Sequence, residues 1–199
     1  MTAETDRLQI LTRALDQLAQ LIAGTAPRQA ELPTPCRSWT VRDVIAHVVR
    51  DLANFAAVAR GEQPDYSKPL ADVGHDWSGA FASGRHGLDE AWRSADLDSP
   101  VPTMTGGETP LASRADQQIA ELGVHAWDLA RGTSQRADLD PEVAAHGLEW
   151  ARQNLAPQHR GPESEGKAFG PEVAVPEDAP VYERLAGWFG RDPRWSAPA

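Results

Sequence analysis

The chain has 199 residues, of which 41% are hydrophobic, and its formal net charge at pH 7 is −10. This length suits a single domain, and an acidic chain with scattered Lys and Arg argues against nucleic acid or an anionic membrane surface as a partner. No apolar run approaches the ~20 residues of a membrane span. The acidic start MTAETDRLQI differs from a signal peptide, and a single cysteine excludes an internal disulfide. We therefore expect a soluble cytoplasmic protein.

Hydrophobic periodicity predicts two helices in the first part of the chain. Leucines and an isoleucine three or four positions apart predict a helix over 4–23, which ends at Gly24. Thr40 followed by Asp43 has the spacing of a capping box, and it predicts the start of a second helix that runs over 41–60.

The middle of the chain has weaker signals. A third helix is expected over about 72–95, although its internal glycines lower its helix propensity. The turn-rich stretch 96–112 is consistent with a short hairpin around residues 106–107. Ser113 followed by Asp116 predicts a second capping box, at the start of the next helix.

The second half of the chain is also predicted to be helical. The expected segments are a helix over 113–132, a helix that Asp140 and Pro141 begin and that runs to about Leu155, an irregular stretch over 156–178 and a short helix over about 179–190. Few strand signals occur, so we predict an all-α helical bundle. We treat residues 1–199 as one domain, with 155–199 as a C-terminal extension that wraps the bundle.

The stretch ELGVHAWDLAR contains Glu121 and His125 four positions apart, so that both side chains face the same way on a helix. They lie at the edge of the apolar stripe, where a bundle helix meets its neighbour, and His47 has a similar edge position on the second helix. Two imidazoles and a carboxylate form a common set of metal ligands. Periodicity alone also allows an ordinary solvated histidine and a weak surface Glu–His pair.

Three neighbours of these residues have two interpretations each. Asp51 follows His47 by one helical turn, and it either belongs to the site or is a helix acid without a role there. Asp128 could orient a ligand or contact polar groups of a substrate, or it could pair with a nearby arginine. Trp127, beside His125, is a candidate substrate contact, although aromatic residues at helical spacing are mostly core.

Cys36 is a weaker candidate for chemistry. A thiol near the helix start at Thr40 could have a lowered pKa. The sequence gives it no His–Asp partner, however, and its loop is expected to pack Trp39 inward. No residue is assigned as a catalytic acid, base or nucleophile.

Three segments together resemble a known family. They are TPCRSWTVRDVIAHVV (34–49), ELGVHAWDLARGT (121–133) and FGPEVAVPEDAPVYERLAGWFGRDP (169–193). Their order and spacing resemble DinB-like actinobacterial metal-binding proteins related to the N-terminal domain of mycothiol-dependent maleylpyruvate isomerase, over nearly the whole length.

The resemblance implies a DinB-like antiparallel four-helix bundle, with a short additional C-terminal helix, that holds a divalent metal through three protein ligands. The histidine of the family pattern W-T-V-R-D-x-x-x-H falls on His47, and E-x-x-x-H-x-W-D-L-A supplies Glu121 and His125. Zinc is the ion we favour, with nickel and iron as alternatives. The implied partners are mycothiol or a similar thiol as cosubstrate and an electrophilic small molecule.

The resemblance thus favours a metal-dependent thiol transferase or isomerase, because a metal ion favours the deprotonated form of a bound thiol. The isomerases in question carry a second domain after the bundle. Here about 44 residues follow Leu155, fewer than an ordinary domain needs, so we expect thiol transfer rather than maleylpyruvate isomerisation. The alternatives are a non-catalytic metal-binding or small-molecule-binding bundle and a metal-dependent hydrolase.

Overall fold

The fold is mostly helical, as the sequence predicts. The computed structural model describes residues 3–36, 38–103, 107–155, 157–162, 165 and 169–197. Within these ranges the α-helices are α1 (Ala3–Ala23), α2 (Val41–Ala59), α3 (Trp77–Ser94), α4 (Ala112–Gly132), α5 (Pro141–Asn154) and α6 (Val181–Trp188). Among these helices, none is both long and apolar enough to cross a membrane.

The first four helices form the bundle. Helix α1 packs against α3 and α4, and α2 packs against the same two helices, so the four elements close into a ring. Their apolar stripes meet in one core, whose fully buried side chains include Leu15, Leu18, Ile22, Ile45, Leu52, Phe81, Leu88, Ile119 and Leu129. The predicted stripes of α1 and α4 are thus confirmed as core faces.

A second layer covers the other side of α4. Helix α5 packs against α4, and α6 packs against α5 and α4. A separate apolar cluster fills this contact, with members such as Val124, Leu148, Leu185 and Phe189. Helix α4 is therefore enclosed on two faces, which explains why every residue from 122 to 130 is buried.

Two helices begin as their sequences predict. At the start of α2, the Thr40 side chain accepts a hydrogen bond from the backbone N–H of Asp43, and Asp43 Oδ2 accepts one from the backbone N–H of Thr40 at 2.9 Å. Asp140 caps α5 by accepting a hydrogen bond from the Glu142 N–H at 2.9 Å. Pro141 occupies the first turn, where no backbone donor is needed.

The predicted start of the third helix is wrong by about five residues. Asp76 is the N-cap, and its Oδ1 accepts a hydrogen bond from the Gly79 N–H at 2.9 Å. Gly74 has a φ of +52°, which a helix does not allow. The apolar spacing continued N-terminal to these two residues, but their backbone requirements determine the helix boundary.

The capping box predicted at Ser113 is also wrong. The N-cap position is Leu111, which makes no side-chain cap. Ser113 instead accepts a hydrogen bond from Trp150 Nε1 at 3.2 Å. Asp116 accepts hydrogen bonds from Arg7 Nε and His146 Nε2, at 2.6 and 2.7 Å. Contacts with α1 and α5 therefore engage both residues of the proposed cap.

A short hairpin lies before α4, as expected. Strand β1 (Pro100–Pro102) pairs in antiparallel fashion with β2 (Glu108–Pro110), with Val101 opposite Thr109. Residue 106 of the predicted turn lies outside the described residues. The treatment of 155–199 as an extension of a single domain stays a prediction.

Candidate metal centre

Two of the three predicted ligands, His47 and Glu121, meet with Asp51 where α2 packs against α4, and the third, His125, lies beside His47. Single ligand atoms from His47, Asp51 and Glu121 all lie within 4.8 Å of one another. The ring of His125 approaches that of His47 edge-on, with 4.8 Å between centroids. Residues 70 or more positions apart in sequence are therefore brought together at one seam.

His47 is held in a defined protonation state. Its Nδ1 lies 3.0 Å from Arg50 Nη2, and its Nε2 lies 3.4 Å from Asp51 Oδ2. An arginine can only donate, so Nδ1 carries the lone pair and Nε2 the proton. Burial, followed by the charges of His125 and Arg50, lowers the pKa of His47 well below its usual value. Coordination through Nε2 would require the proton on Nδ1, and Arg50 Nη2 would then turn away.

His125 is oriented by a buried ion pair. Its Nδ1 lies 3.1 Å from Oδ2 of Asp128, which is fully buried. Arg191 donates to the same carboxylate, from Nη2 to Oδ2 at 2.9 Å and from Nε to Oδ1 at 3.3 Å. Burial alone would raise the pKa of Asp128, but the charge of Arg191 and the His125 contact outweigh it and lower that pKa. The ionised carboxylate thus fixes the proton of His125 on Nδ1 and leaves the lone pair on Nε2, the nitrogen that could bind a metal ion.

The two carboxylates of the cluster, Glu121 and Asp51, lie close together, and burial raises the pKa of both. Glu121 accepts one hydrogen bond from Gln117 Nε2 at 2.9 Å, and burial followed by the charge of Asp51 raises its pKa to about 7. Burial also raises the pKa of Asp51, although Arg50 Nε donates to its Oδ1 at 3.0 Å. A cation between these groups would relieve their repulsion.

Aromatic rings close one side of the cluster. The indole of Trp39 lies 4.5 Å from the His47 ring and 5.7 Å from the His125 ring, between centroids. Cys36, in the same loop, is half-buried. The Trp39 contacts place this loop against the site.

Tyr66 and Arg114 mark the solvent side, and neither was identified from the sequence. Tyr66 is 54% exposed, and partial burial followed by the charges of Glu121 and Asp51 raises the pKa of its phenol to about 12. Arg114 Nη1 donates to Gln117 Oε1 at 2.9 Å, so Gln117 links this cation to Glu121. Tyr66 comes from the loop between α2 and α3, where no sequence pattern indicated a role.

The two proposed substrate contacts have different surroundings. The Asp128 carboxylate is hydrogen-bonded to His125 and Arg191, which supports its role in orienting a ligand. Its contact with substrate stays a prediction. Trp127 is 5% exposed, belongs to the apolar cluster between α4, α5 and α6, and lies 5.3 Å from the Arg131 guanidinium carbon. This burial does not support substrate binding by Trp127, which also stays a prediction.

The donor set fits a divalent first-row metal ion. Two imidazoles and two carboxylates are available without a thiolate, and neutral imidazole is the form that binds metal. His125 and Asp128 have the carboxylate–histidine arrangement that commonly supports a metal ligand.

Comparison with known proteins connects this arrangement to a family. Residues 11–130 match the family model of the mycothiol maleylpyruvate isomerase N-terminal domain. The chain is also 33% identical, over 95% of its length and 100% of theirs, to the uncharacterized proteins MT0763 and Rv0738 of Mycobacterium tuberculosis.

Two solved structures have a similar fold. Crystal structures of mycothiol-dependent maleylpyruvate isomerase and of a mutant of it align with TM-scores of 0.60 and 0.61 at 19% identity, covering 85% of this chain and 77% of theirs. The predicted DinB-like helical fold is thereby confirmed. With the family model matching more than half of the sequence, the chain belongs to the mycothiol maleylpyruvate isomerase N-terminal domain family.

Proposed function

We propose that the protein is a divalent-metal-dependent transferase or isomerase that joins a low-molecular-weight thiol of the mycothiol type to an electrophilic small molecule. The observation that carries the proposal is the convergence of His47, Asp51 and Glu121 within 4.8 Å, next to His125, in a chain of this family. We also propose a cytoplasmic site of action, because low-molecular-weight thiols are kept reduced there.

In this proposal the metal is held by His47, Glu121 and His125, and Asp128 maintains the orientation of His125. A bound divalent cation would supply the positive charge that favours the deprotonated form of a thiol near neutral pH. The ring of Trp39, close to both histidines, limits access of water from one side. The zinc, nickel and iron alternatives are all compatible with imidazole and carboxylate donors.

The solvent side suits the electrophile. Tyr66 keeps its proton at neutral pH, because the ordinary pKa of a phenol is about 10 and burial with the nearby carboxylates raises it further, so it can donate a hydrogen bond to a carbonyl oxygen. Arg114 can pair with an anionic group. In the reaction the thiol releases its proton to water and its sulfur forms a bond to the electrophilic carbon. Transfer is complete when a leaving group departs with its electron pair; isomerisation requires that the carbon–sulfur bond break again after rotation.

Turnover with purified components tests the proposal. The metal-loaded protein is mixed with mycothiol and either maleylpyruvate or an aromatic halide, and product is followed by absorbance. We expect a rate that needs both thiol and metal, that a chelator abolishes and that added metal restores. His47→Ala should abolish the rate, and His86→Ala, on the exposed face of α3, should retain it.

Two outcomes contradict the proposal. Metal-loaded protein that turns over neither electrophile with thiol would support a non-catalytic binding bundle. A rate that is unchanged when thiol is omitted would support a metal-dependent hydrolase, in which water is the nucleophile.

A further inference from the structure

Asp51 has a position that an ordinary helix acid would not take. It is 8% exposed and lies on α2 between the core residues Val48 and Leu52 on one side and the metal cluster on the other. Burying a carboxylate is unfavourable unless it is paired. The partners of its two carboxylate oxygens therefore indicate the role of Asp51.

The two oxygens of the Asp51 carboxylate have different partners. Oδ1 accepts hydrogen bonds from Arg50 Nε at 3.0 Å and from Asn54 Nδ2 at 3.5 Å. Asn54 is itself fixed, because its Oδ1 accepts a hydrogen bond from the backbone N–H of Asp65 at 3.2 Å. These contacts orient the carboxylate so that Oδ2 points toward His47 Nε2, at 3.4 Å.

Oδ2 thus belongs to the same small volume as the other donors. A ligand atom of Asp51 lies within 4.8 Å of those of both His47 and Glu121. His47 and Glu121 are two of the three ligands that the family resemblance implies, and Asp51 lies on α2 together with His47. A cation that contacts His47 and Glu121 would therefore have the Asp51 carboxylate within reach.

We propose that Asp51 is a fourth protein ligand, which makes the centre a site of two imidazoles and two carboxylates. The inference rests on the proposed function and adds a requirement on the metal. Four protein ligands complete a tetrahedral zinc site and leave no position for a thiol. A centre that also accepts substrate would then suit a metal ion that takes five or six ligands, as ferrous iron does in facial-triad sites.

Cobalt(II) is the probe for the coordination number, because a tetrahedral cobalt(II) ion absorbs visible light more strongly than one with five or six ligands. Metal-free wild-type protein is titrated with cobalt(II) and its visible spectrum is recorded. We expect the weak bands of a five- or six-coordinate ion in the wild-type protein and a changed spectrum in Asp51→Asn, because the ion would lose one carboxylate ligand. Identical cobalt(II) spectra of the two proteins would overturn the inference and leave the three-ligand site intact.

Substitution of Asp51 gives a second test. In competition with a chromophoric chelator, Asp51→Asn should weaken cobalt(II) binding by at least the ~10–100-fold typical of losing a supporting partner. Glu62→Gln, which removes the same unit of charge at an exposed position just after α2, is the matched control and should leave affinity unchanged. Equal affinities for wild type, Asp51→Asn and Glu62→Gln would overturn the inference.

The two proposals fail in different ways. Wild-type protein that binds no cobalt(II) contradicts the metal-dependent function itself. Wild-type protein that binds cobalt(II) with the same affinity and spectrum as Asp51→Asn contradicts only the fourth ligand. If Asp51→Asn does not fold, as judged by its circular dichroism without metal, Asp51→Glu replaces it, because a longer side chain displaces the carboxylate; an unchanged affinity and spectrum would again overturn the inference.

Discussion

Asp128 connects the metal centre to the C-terminal segment of the chain. Its carboxylate contacts His125 Nδ1 at 3.1 Å and receives two hydrogen bonds from Arg191. All three side chains are buried. A residue 63 positions after Asp128 thereby helps to set the orientation of a metal ligand.

Removal of Arg191 should weaken metal binding. We expect Arg191→Met to reduce affinity by ~10–100-fold, because Asp128 would lose the cation that keeps it ionised and in place. Arg191→Lys should recover part of the loss. Arg194→Met is the matched control, since Arg194 is exposed and pairs with Asp192. Chelator competition on folded variants measures the effect, and equal affinities for the two methionine variants would contradict this role.

Glu121 should make the stability of the metal-free protein depend on pH. Its pKa is about 7 in the fold against an ordinary value of 4.5. Between these values the folded state binds the proton more tightly, so the contribution of Glu121 to stability is largest at low pH and is lost as pH rises through about 7.

The corresponding measurement is urea unfolding of wild type and Glu121→Gln at several pH values in the presence of a chelator. The stability of the variant relative to wild type should rise across this window. The lowered pKa of His47 also reduces stability at acid pH. This effect is the same in both proteins and cancels in the difference. Glu149→Gln, at an exposed position, should show no such rise. A difference that does not vary with pH would contradict the shifted pKa.

At the level of single residues, the sequence predicted the site residues that lie at helical spacing or in a family motif. His47, Glu121 and His125 were found in this way; ligand atoms of His47 and Glu121 lie within 4.8 Å of each other, and the His125 ring contacts that of His47. Their role as metal ligands stays a prediction. Asp51 remained open, because a carboxylate one turn after a histidine has the same pattern whether it faces the site or solvent. Tyr66 and Arg191 depend on where a loop and the C-terminal segment pack, which local spacing does not encode.

Helices α4 and α5 pack closely at Gly147, where a larger side chain would not fit. A Cβ added at Gly147 would lie 2.8 Å from the Cα of Ala120, which is backbone and cannot easily yield. Gly147→Ala should therefore destabilise the protein by about 1–3 kcal/mol through overpacking. The measurement is urea unfolding.

Gly87 on α3 is the matched control. An added Cβ there would meet only the Arg60 guanidinium, at 3.9 Å. Gly87→Ala should stabilise by up to about 1 kcal/mol, the gain in helix propensity. Equal effects of the two substitutions would contradict the tight α4–α5 contact.

Helix boundaries were predictable where the capping chemistry is local. Thr40 with Asp43, and Asp140 with Pro141, act within a few residues of backbone, and both starts are confirmed. The start of α4 was misassigned because tertiary partners, Trp150 among them, engage the side chains of the supposed cap.

The arrangement of layers was the part of the fold least accessible from the sequence. A four-helix bundle was predicted, but periodicity does not state which helices pair. The described residues place α1–α4 in the bundle and α5 with α6 on the outer face of α4. Both layers contain apolar stripes of similar character, so only contacts between distant segments distinguish them.

Metal binding should stabilise the whole molecule. An ion that binds only the folded state at about 100 times its Kd adds about 2.7 kcal/mol to the free energy of unfolding. Thermal unfolding with and without nickel or cobalt should show a higher Tm with metal for wild type and for His86→Ala. His125→Ala should show no shift, and a shift equal to that of wild type would contradict its role as a ligand.

The most direct test of the central claim is the metal content of the purified protein, measured by plasma mass spectrometry after loading with zinc, nickel or iron. Wild type is compared with His47→Ala, Glu121→Ala and His125→Ala. We expect about one ion per chain, because one set of donors converges at the α2–α4 seam among the residues that the structure describes, and we expect each variant to lose that ion. Wild-type protein that holds no ion after loading, or variants that retain it in full, would contradict the account.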